Sequence, residues 1–391
     1  MREREACPVC AAPSTGVFFS LPRIPVQDGL LWQTRAEALA SPLGDIRLSF
    51  CSSCGHIFNA AFEPEKIRYE RGYDISLHHS KMYRDFIDGL VARLVAAYDL
   101  RGKTVLEIAC GNGDFLREIC AKTGGHGTGF DPSLRPAEAG SGAERLTFVP
   151  ELYSAKHASE PADFVCCRHL LQSLPDPGGF ADDLRQAIGG RRIPIYIEVP
   201  NASRMFQDLV FWYITYEYFS FFSGASLARL FELHGFEVGT VEPCFEGNYL
   251  GLEAWPSAPA SRPGARAPEV ARMANAVAVF EREARRLLDQ WRSRLDAVRR
   301  SGKKSVAWGA GGRAITFLSV FELSDDQVAY VVDINPNRQG LYLPKTGQRV
   351  VSPDFLRKER PDVVLITNST FEKEIRAQIG ALGLSPDVYV L

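Results

Sequence analysis

The 391-residue chain lacks a long apolar run: nowhere do the roughly 18 uncharged apolar residues that cross a bilayer follow one another. Its first residues, Met-Arg-Glu-Arg-Glu-Ala-Cys, lack the apolar core of a signal peptide, so the expected location is the cytoplasm, with no membrane partner. An excess of one charge is missing too. Lys plus Arg number 45 against 47 Asp plus Glu, a net of −2, which argues against a chain built mainly to coat nucleic acid. Cysteine is sparse at nine residues, too few for a disulfide scaffold, and in a reducing compartment close cysteine pairs point first to metal. With 46% hydrophobic and 24% charged residues, wholesale disorder and collagen-like repetition are excluded. This length exceeds a single core, and two or three domains are expected.

Proline is concentrated in one place. Pro256, Pro259, Pro263, Gly264 and Pro268 fall within thirteen residues, a density that no helix or central strand survives, and they mark a linker. Four parts follow: 1–66 with two cysteine pairs, 67–255 alternating strand and helix, 256–300 as linker and amphipathic helix, and 301–391 as a further α/β unit. From Glu269 to about Arg300, Val270, Met273, Val277, Phe280, Ala284, Leu287, Trp291, Leu295 and Val298 recur every three or four residues. That stripe packs on its own chain or pairs with a second copy, leaving monomer and homodimer open.

Cys7-Pro-Val-Cys10 and Cys51-Ser-Ser-Cys54 are C-x-x-C pairs with 40 residues between them. Tetrahedral zinc needs four donors at about 2.3 Å, and each C-x-x-C turn delivers two thiolates from one tight loop. Four thiolates leave no open coordination position, so the metal would be structural. His56 would be a bystander.

In the second part, Lys103-Thr-Val-Leu-Glu107-Ile-Ala-Cys-Gly111-Asn-Gly113-Asp114 reads as buried strand, glycine turn and helix, followed by a strand ending at Asp131-Pro132. Such βαβ units bind nucleotides at the carboxyl ends of their strands. A dinucleotide site wants a small third residue that admits pyrophosphate to the helix N-terminus, but Leu116 fills that place. The carboxylates of Glu107, Asp114 and Asp131 suit a cationic, phosphate-free ligand, S-adenosylmethionine (SAM), with Asp131 on the ribose. Ala162-Asp163-Phe-Val-Cys-Cys-Arg168-His169-Leu-Leu-Gln172 reads as the next strand with its loop, and His169, just beyond that strand, lies on the same edge.

The order of zinc cysteines, Glu107-x-x-x-Gly111-x-Gly113 turn and C-terminal glycine loop resembles the three-domain SAM-dependent sugar C-methyltransferase family. The resemblance extends to Tyr69, Tyr73 and Ser76, the block Tyr216-Glu217-Tyr218-Phe219-Ser220-Phe221-Phe222, and Trp308-Gly-Ala-Gly-Gly-Arg-Ala with Val332-Asp333-Ile-Asn335-Pro336. It implies an α/β chain: a class I methyltransferase Rossmann-like domain between an N-terminal zinc-binding module and a C-terminal Rossmann-like domain. It also implies C-methylation of a keto-deoxysugar linked to a nucleoside diphosphate, in secondary metabolism such as antibiotic biosynthesis.

Two departures stand out. The family carries histidine as the base where this chain has Tyr218, and its later His-Gly-Gly-Ser-Leu-Arg stretch is replaced by Phe245-Glu-Gly-Asn-Tyr-Leu250. Carbon methylation beside a carbonyl needs a base near neutral pKa, and an ordinary tyrosine titrates near 10. Tyr73, His79, Tyr216, Glu217 and Tyr218 are therefore all candidates to orient or deprotonate the acceptor. O- or N-methylation of another small molecule, and a SAM-binding scaffold without turnover, stay open. Gly309-Ala-Gly311-Gly-Arg-Ala314 with Asp333 fits a dinucleotide fingerprint better than the first turn does. It holds a substrate diphosphate, serves structure alone, or binds NAD(P).

Overall fold

The computed structural model describes residues 6–14, 16–69, 72–134, 145–158, 160–258 and 266–391; of the proline cluster, Pro259, Pro263 and Gly264 lie outside the described residues. Period-2 alternation builds the first sheet. In β1 (Val17–Pro25) and β2 (Leu43–Phe50) the strands pair antiparallel, and Ile46 and Leu48 point inward while Asp45 and Arg47 face solvent. Between them α1 (Arg35–Leu39) starts from a Thr34–Glu37 capping box. A short β3 (Ile57–Asn59) extends the sheet beyond β2.

After α2 (Lys81–Tyr98), capped by Ser80, come β4 (Val105–Ile108), α3 (Asp114–Thr123), β5 (Gly127–Phe130), β6 (Leu146–Val149), β7 (Phe164–Arg168), α4 (Pro177–Ile188) and β8 (Ile195–Pro200). Every residue of β4, β7 and β8 is buried, as expected of parallel strands covered by helices on both faces. Next, α5 (Ala202–Gln207) leads to β9 (Ser220–Phe221), which leaves this sheet and pairs with β3, Ile57 opposite Phe221. The aromatic block thus joins the first sheet to the second. Then α6 (Gly224–Leu233), β10 (Phe236–Cys244) and β11 (Tyr249–Pro256) complete a seven-stranded sheet of order β10-β11-β8-β7-β4-β5-β6. Strand β11 runs against both of its neighbours, whereas β4 to β8 pair in parallel. Pro256, read from sequence as linker, closes β11, where a missing donor is tolerated at a strand end.

Helix α7 (Ala267–Arg300) begins earlier than the apolar stripe implies, with Pro268 in its first turn. Its stripe packs on its own chain: Phe280 meets Phe19 of β1 and Phe206 of α5 edge-on, each at 5.0 Å, and Trp291 meets Phe317 at 5.1 Å. The last unit contains β12 (Ser305–Trp308), α8 (Gly312–Val320), β13 (Tyr330–Val332), β14 (Arg349–Val351), α9 (Leu356–Glu359), β15 (Val363–Ile366), α10 (Glu372–Ala381) and β16 (Asp387–Val390). Its five parallel strands are ordered β14-β13-β12-β15-β16. Leu21, Ile46 and Leu48 share one continuous core with Phe206, Phe280, Ile315 and Phe317. The first segment, for which the cysteine pairs imply a structural metal, is also held by helices from elsewhere in the chain. Among the described residues no helix is long and apolar enough to cross a membrane.

Candidate active site

One cleft of about 900 Å³ receives the carboxyl ends of β4, β5, β7 and β8 from one side and of β12, β13 and β15 from the other. It is lined by Tyr73, His79, Glu107, Gly111, Asp114, Asp131, Pro132, His169, Glu217 and Tyr218, all singled out from sequence. Tyr216 does not line it. Its hydroxyl accepts the Glu63 amide at 3.0 Å, and its ring stacks on Phe62 in the turn after β3. Residues 216–217 form a turn that leaves Thr215, Glu217 and Tyr218 on the cleft and sends Tyr216 the other way. Tyr216 is thus a packing residue, not the polar cleft residue expected. Gly113 also sits behind the lining: with φ of +78°, it allows the turn to press on Phe148, 2.3 Å from where a Cβ would lie.

At the first turn Asp131 holds the loop. Its Oδ2 accepts the Gly111 amide at 2.9 Å and its Oδ1 the Ser133 amide at 2.8 Å, so any ribose contact uses the remaining lone pairs of the carboxylate. Glu107 is 2% exposed, and its Oε2 has no hydrogen-bond partner among the described residues. Burial raises its carboxyl to about 8, against the opposing pull of Arg168. A buried carboxyl with an unfilled acceptor beside a strand-end cavity fits an ammonium group.

Below it lies a closed polar hub. The fully buried Glu198 accepts Arg168 Nη2 at 2.8 Å, the Tyr196 hydroxyl at 2.9 Å and lies 3.0 Å from His169 Nε2. Burial alone would raise Glu198, but Arg168 and His169 hold it at about 2. The His169 ring meets Tyr249 at 4.4 Å. The histidine is therefore oriented by Glu198 rather than free in the cleft.

Facing this pocket, Glu217 is also 2% exposed. Its Oε1 accepts the Asp28 amide at 2.9 Å and its Oε2 the Tyr73 hydroxyl at 2.8 Å. Burial, and then the neighbouring Asp28 carboxylate, push Glu217 well above the usual carboxyl range. Tyr218 is pushed upward by burial and by Asp28, although Arg313 pulls the other way. That disfavours a phenolate base at the position where the family carries histidine. His79 stands at the exposed rim.

In the last unit the same turn is built again: Asp333 accepts Ala310 N at 2.7 Å and Asn335 N at 2.8 Å, as Asp131 does for its own loop. Here the start of α8 is occupied by the chain itself. A Cβ on Gly312 would lie 2.0 Å from Asp28 Oδ2, so a carboxylate rests where a dinucleotide would place pyrophosphate. Sequence reasoning passed over Asp28, Asn248, Tyr249 and Arg313, which also line the cleft. Asp28 follows β1 in a loop with no motif around it. The replaced stretch 245–250 did carry a signal: Asn248 bonds Thr370 Oγ1 at 2.9 Å and Arg313 at 3.3 Å, bridging the middle and last units.

At the chain's start, the four thiols of Cys7, Cys10, Cys51 and Cys54 lie within 4.8 Å of one another. Cys7 and Cys54 sulfurs are 3.6 Å apart and those of Cys10 and Cys51 3.5 Å, close to the ~3.8 Å edge of a tetrahedron with 2.3 Å metal–sulfur bonds. His56 bonds Ser220 instead, at 3.2 Å. The cluster can hold a metal.

Residues 48–241 match the family described as a methyltransferase domain, and residues 267–383 the family described as a C-methyltransferase C-terminal domain. The C-methyltransferase NovU of Streptomyces niveus is 25% identical over 292 residues, covering 70% of this chain and 68% of that one. The chain therefore carries a methyltransferase domain followed by a C-methyltransferase C-terminal domain. It is a SAM-dependent methyltransferase.

Among solved structures, the methyltransferase is similar to the 1,6-didemethyltoxoflavin-N1-methyltransferase of Burkholderia thailandensis with S-adenosylhomocysteine, at 17% identity and TM-score 0.34, over 45% of this chain and 81% of that one. It is also similar to the magnesium protoporphyrin IX methyltransferase of Synechocystis PCC 6803 with SAM, at 18% identity and TM-score 0.33, over 45% and 80%.

Proposed function

We propose that this methyltransferase places a methyl group on carbon, beside the carbonyl of a keto-deoxysugar carried on a nucleoside diphosphate, in secondary metabolism. Glu217 carries this reading: a buried carboxyl with raised proton affinity, bonded to a phenol, in a cleft that also holds the strand-end cofactor pocket. A carbon beside a carbonyl is a weak acid, and a base whose pKa is lifted toward the working pH removes its proton most effectively.

SAM would be held by Glu107, Gly111, Asp114 and Asp131, and supplies an electrophilic methyl group. Glu217 takes the proton from the acceptor carbon. Tyr73 donates to Glu217, and Tyr218, held as a neutral phenol, donates toward the oxygen that becomes enolate. The aromatic block and the last unit cover the cleft and exclude water. Zinc at Cys7, Cys10, Cys51 and Cys54 would pin the start of the chain to the sheet that presents Asp28. The divisions 1–66, 67–255, 256–300 and 301–391 describe this arrangement as cysteine module, cofactor unit, connecting helix and lid.

With S-adenosylhomocysteine bound, deuterium from solvent should enter the acceptor at the carbon beside the carbonyl. Glu217→Gln should slow that exchange by about 10²–10⁴-fold, and Tyr218→Phe by far less. No exchange with any nucleotide-linked keto-sugar, or equal exchange in Glu217→Gln, overturns the reading.

A further inference from the structure

Two carboxyl groups meet in this cleft, and the reading above uses only one. Asp28 reaches Glu217 through its backbone amide, 2.9 Å from Oε1, while its side chain lies beside the same carboxyl. The same side chain presses on the first turn of α8, where a Cβ on Gly312 would stand 2.0 Å from Oδ2 and 2.7 Å from Thr215. A helix N-terminus favours an anion, whereas Glu217 is bracketed by the Asp28 amide and the Tyr73 hydroxyl. Two carboxyls this close do not both ionise readily, and with burial this raises the proton affinity of Glu217.

We propose that Asp28 is the positioning residue of the proton-transfer step: its charged side chain, resting against the last unit, stands beside Glu217 and strengthens that group, once ionised, as the base that takes a proton from the acceptor. This rests on the C-methylation reading. It also ties the base to the seating of the last unit, because Asp28 rests against the first turn of α8. The groups facing Glu217 are Asp28 from the loop after β1, Tyr69 and Tyr73 from the segment before α2, and Tyr218 on its own segment, which Arg313 of α8 acts on in turn. Among these, Asp28 supplies the nearby negative charge.

Asp28→Asn removes the charge but keeps the backbone bond and a side chain well suited to a helix N-terminus. The acid limb of the kcat/KM profile, which rises as Glu217 loses its proton, should then move at least about one unit to lower pH. Asp28→Glu should bring the limb back toward the wild-type position. A structural role alone would lower kcat/KM equally at every pH and leave the limb in place; that result overturns the proposal.

A second readout needs no acceptor. A carboxyl raised in the folded state gives stability that is full below its unfolded pKa and is lost as pH rises through the folded value. As pH rises above the ordinary carboxyl range, the unfolding temperature of Asp28→Asn should therefore fall less than that of wild type, as in Glu217→Gln. If wild type turns over no keto-sugar but this difference appears, the acceptor reading fails while the pairing stands. If the curves run parallel, the pairing fails.

Discussion

Glu107 and Glu217 are raised mainly by burial, and they differ in what stands beside them. Glu107 has an unfilled oxygen at the glycine turn, whereas both Glu217 oxygens already accept hydrogen bonds. A cation entering beside Glu107 should ionise it and release a proton. SAM affinity should accordingly rise with pH up to about 8, by at most tenfold per unit, and level off above. Calorimetry in buffers of different ionisation enthalpy should show that proton. Glu107→Gln should bind more weakly and lose the proton release attributable to this carboxyl; unchanged release would place the ammonium elsewhere. The acidic ring of Glu107, Asp114 and Asp131 was legible because strand, glycine turn and strand recur at fixed spacing. Asp28 was not, since an aspartate in a motif-free loop gains its role only when the chain folds α8 against it.

The elements show where periodicity is informative and where it stops. The α7 stripe was readable from its 3.6-residue period, yet its partners, β1 and α5, are distant in sequence. Phe280→Ala should destabilise the protein by about 3–5 kcal/mol, measured by urea unfolding; a loss under about 1 kcal/mol would mean that the site collapses around the cavity. Tyr216 was misread for a related reason. A polar residue in an aromatic block looks suited to a cleft, but the sheet decided its side by pairing Ile57 with Phe221. The cysteine pairs were readable from spacing, while the core that supports them was not. Cys7→Ser should lower zinc from about one per chain toward none yet leave much of the fold intact, because Leu21, Ile46 and Leu48 pack into the shared core. Full zinc content in Cys7→Ser would contradict the four-thiolate site.

At the scale of the whole molecule, two units with the same aspartate-braced glycine turn face one cleft, and they differ in what occupies the start of the helix. In the first the turn opens toward the pocket beside Glu107; in the second Asp28 fills it. The alternation of strands and helices made both units recognisable, but their facing arrangement depends on contacts such as Asn248 with Thr370 and Arg313, which no local pattern encodes. The most direct test of the central claim follows the methyl group itself. The protein would be incubated with SAM labelled with carbon-13 in its methyl group and a keto-deoxysugar linked to a nucleoside diphosphate, and the product read by carbon NMR. Transfer to carbon places the label at the chemical shift of a methyl on a saturated carbon, coupled to the carbon beside the carbonyl, and Glu217→Gln removes that signal. A label at the shift of an O- or N-methyl group, or one that persists undiminished in Glu217→Gln, would contradict the account.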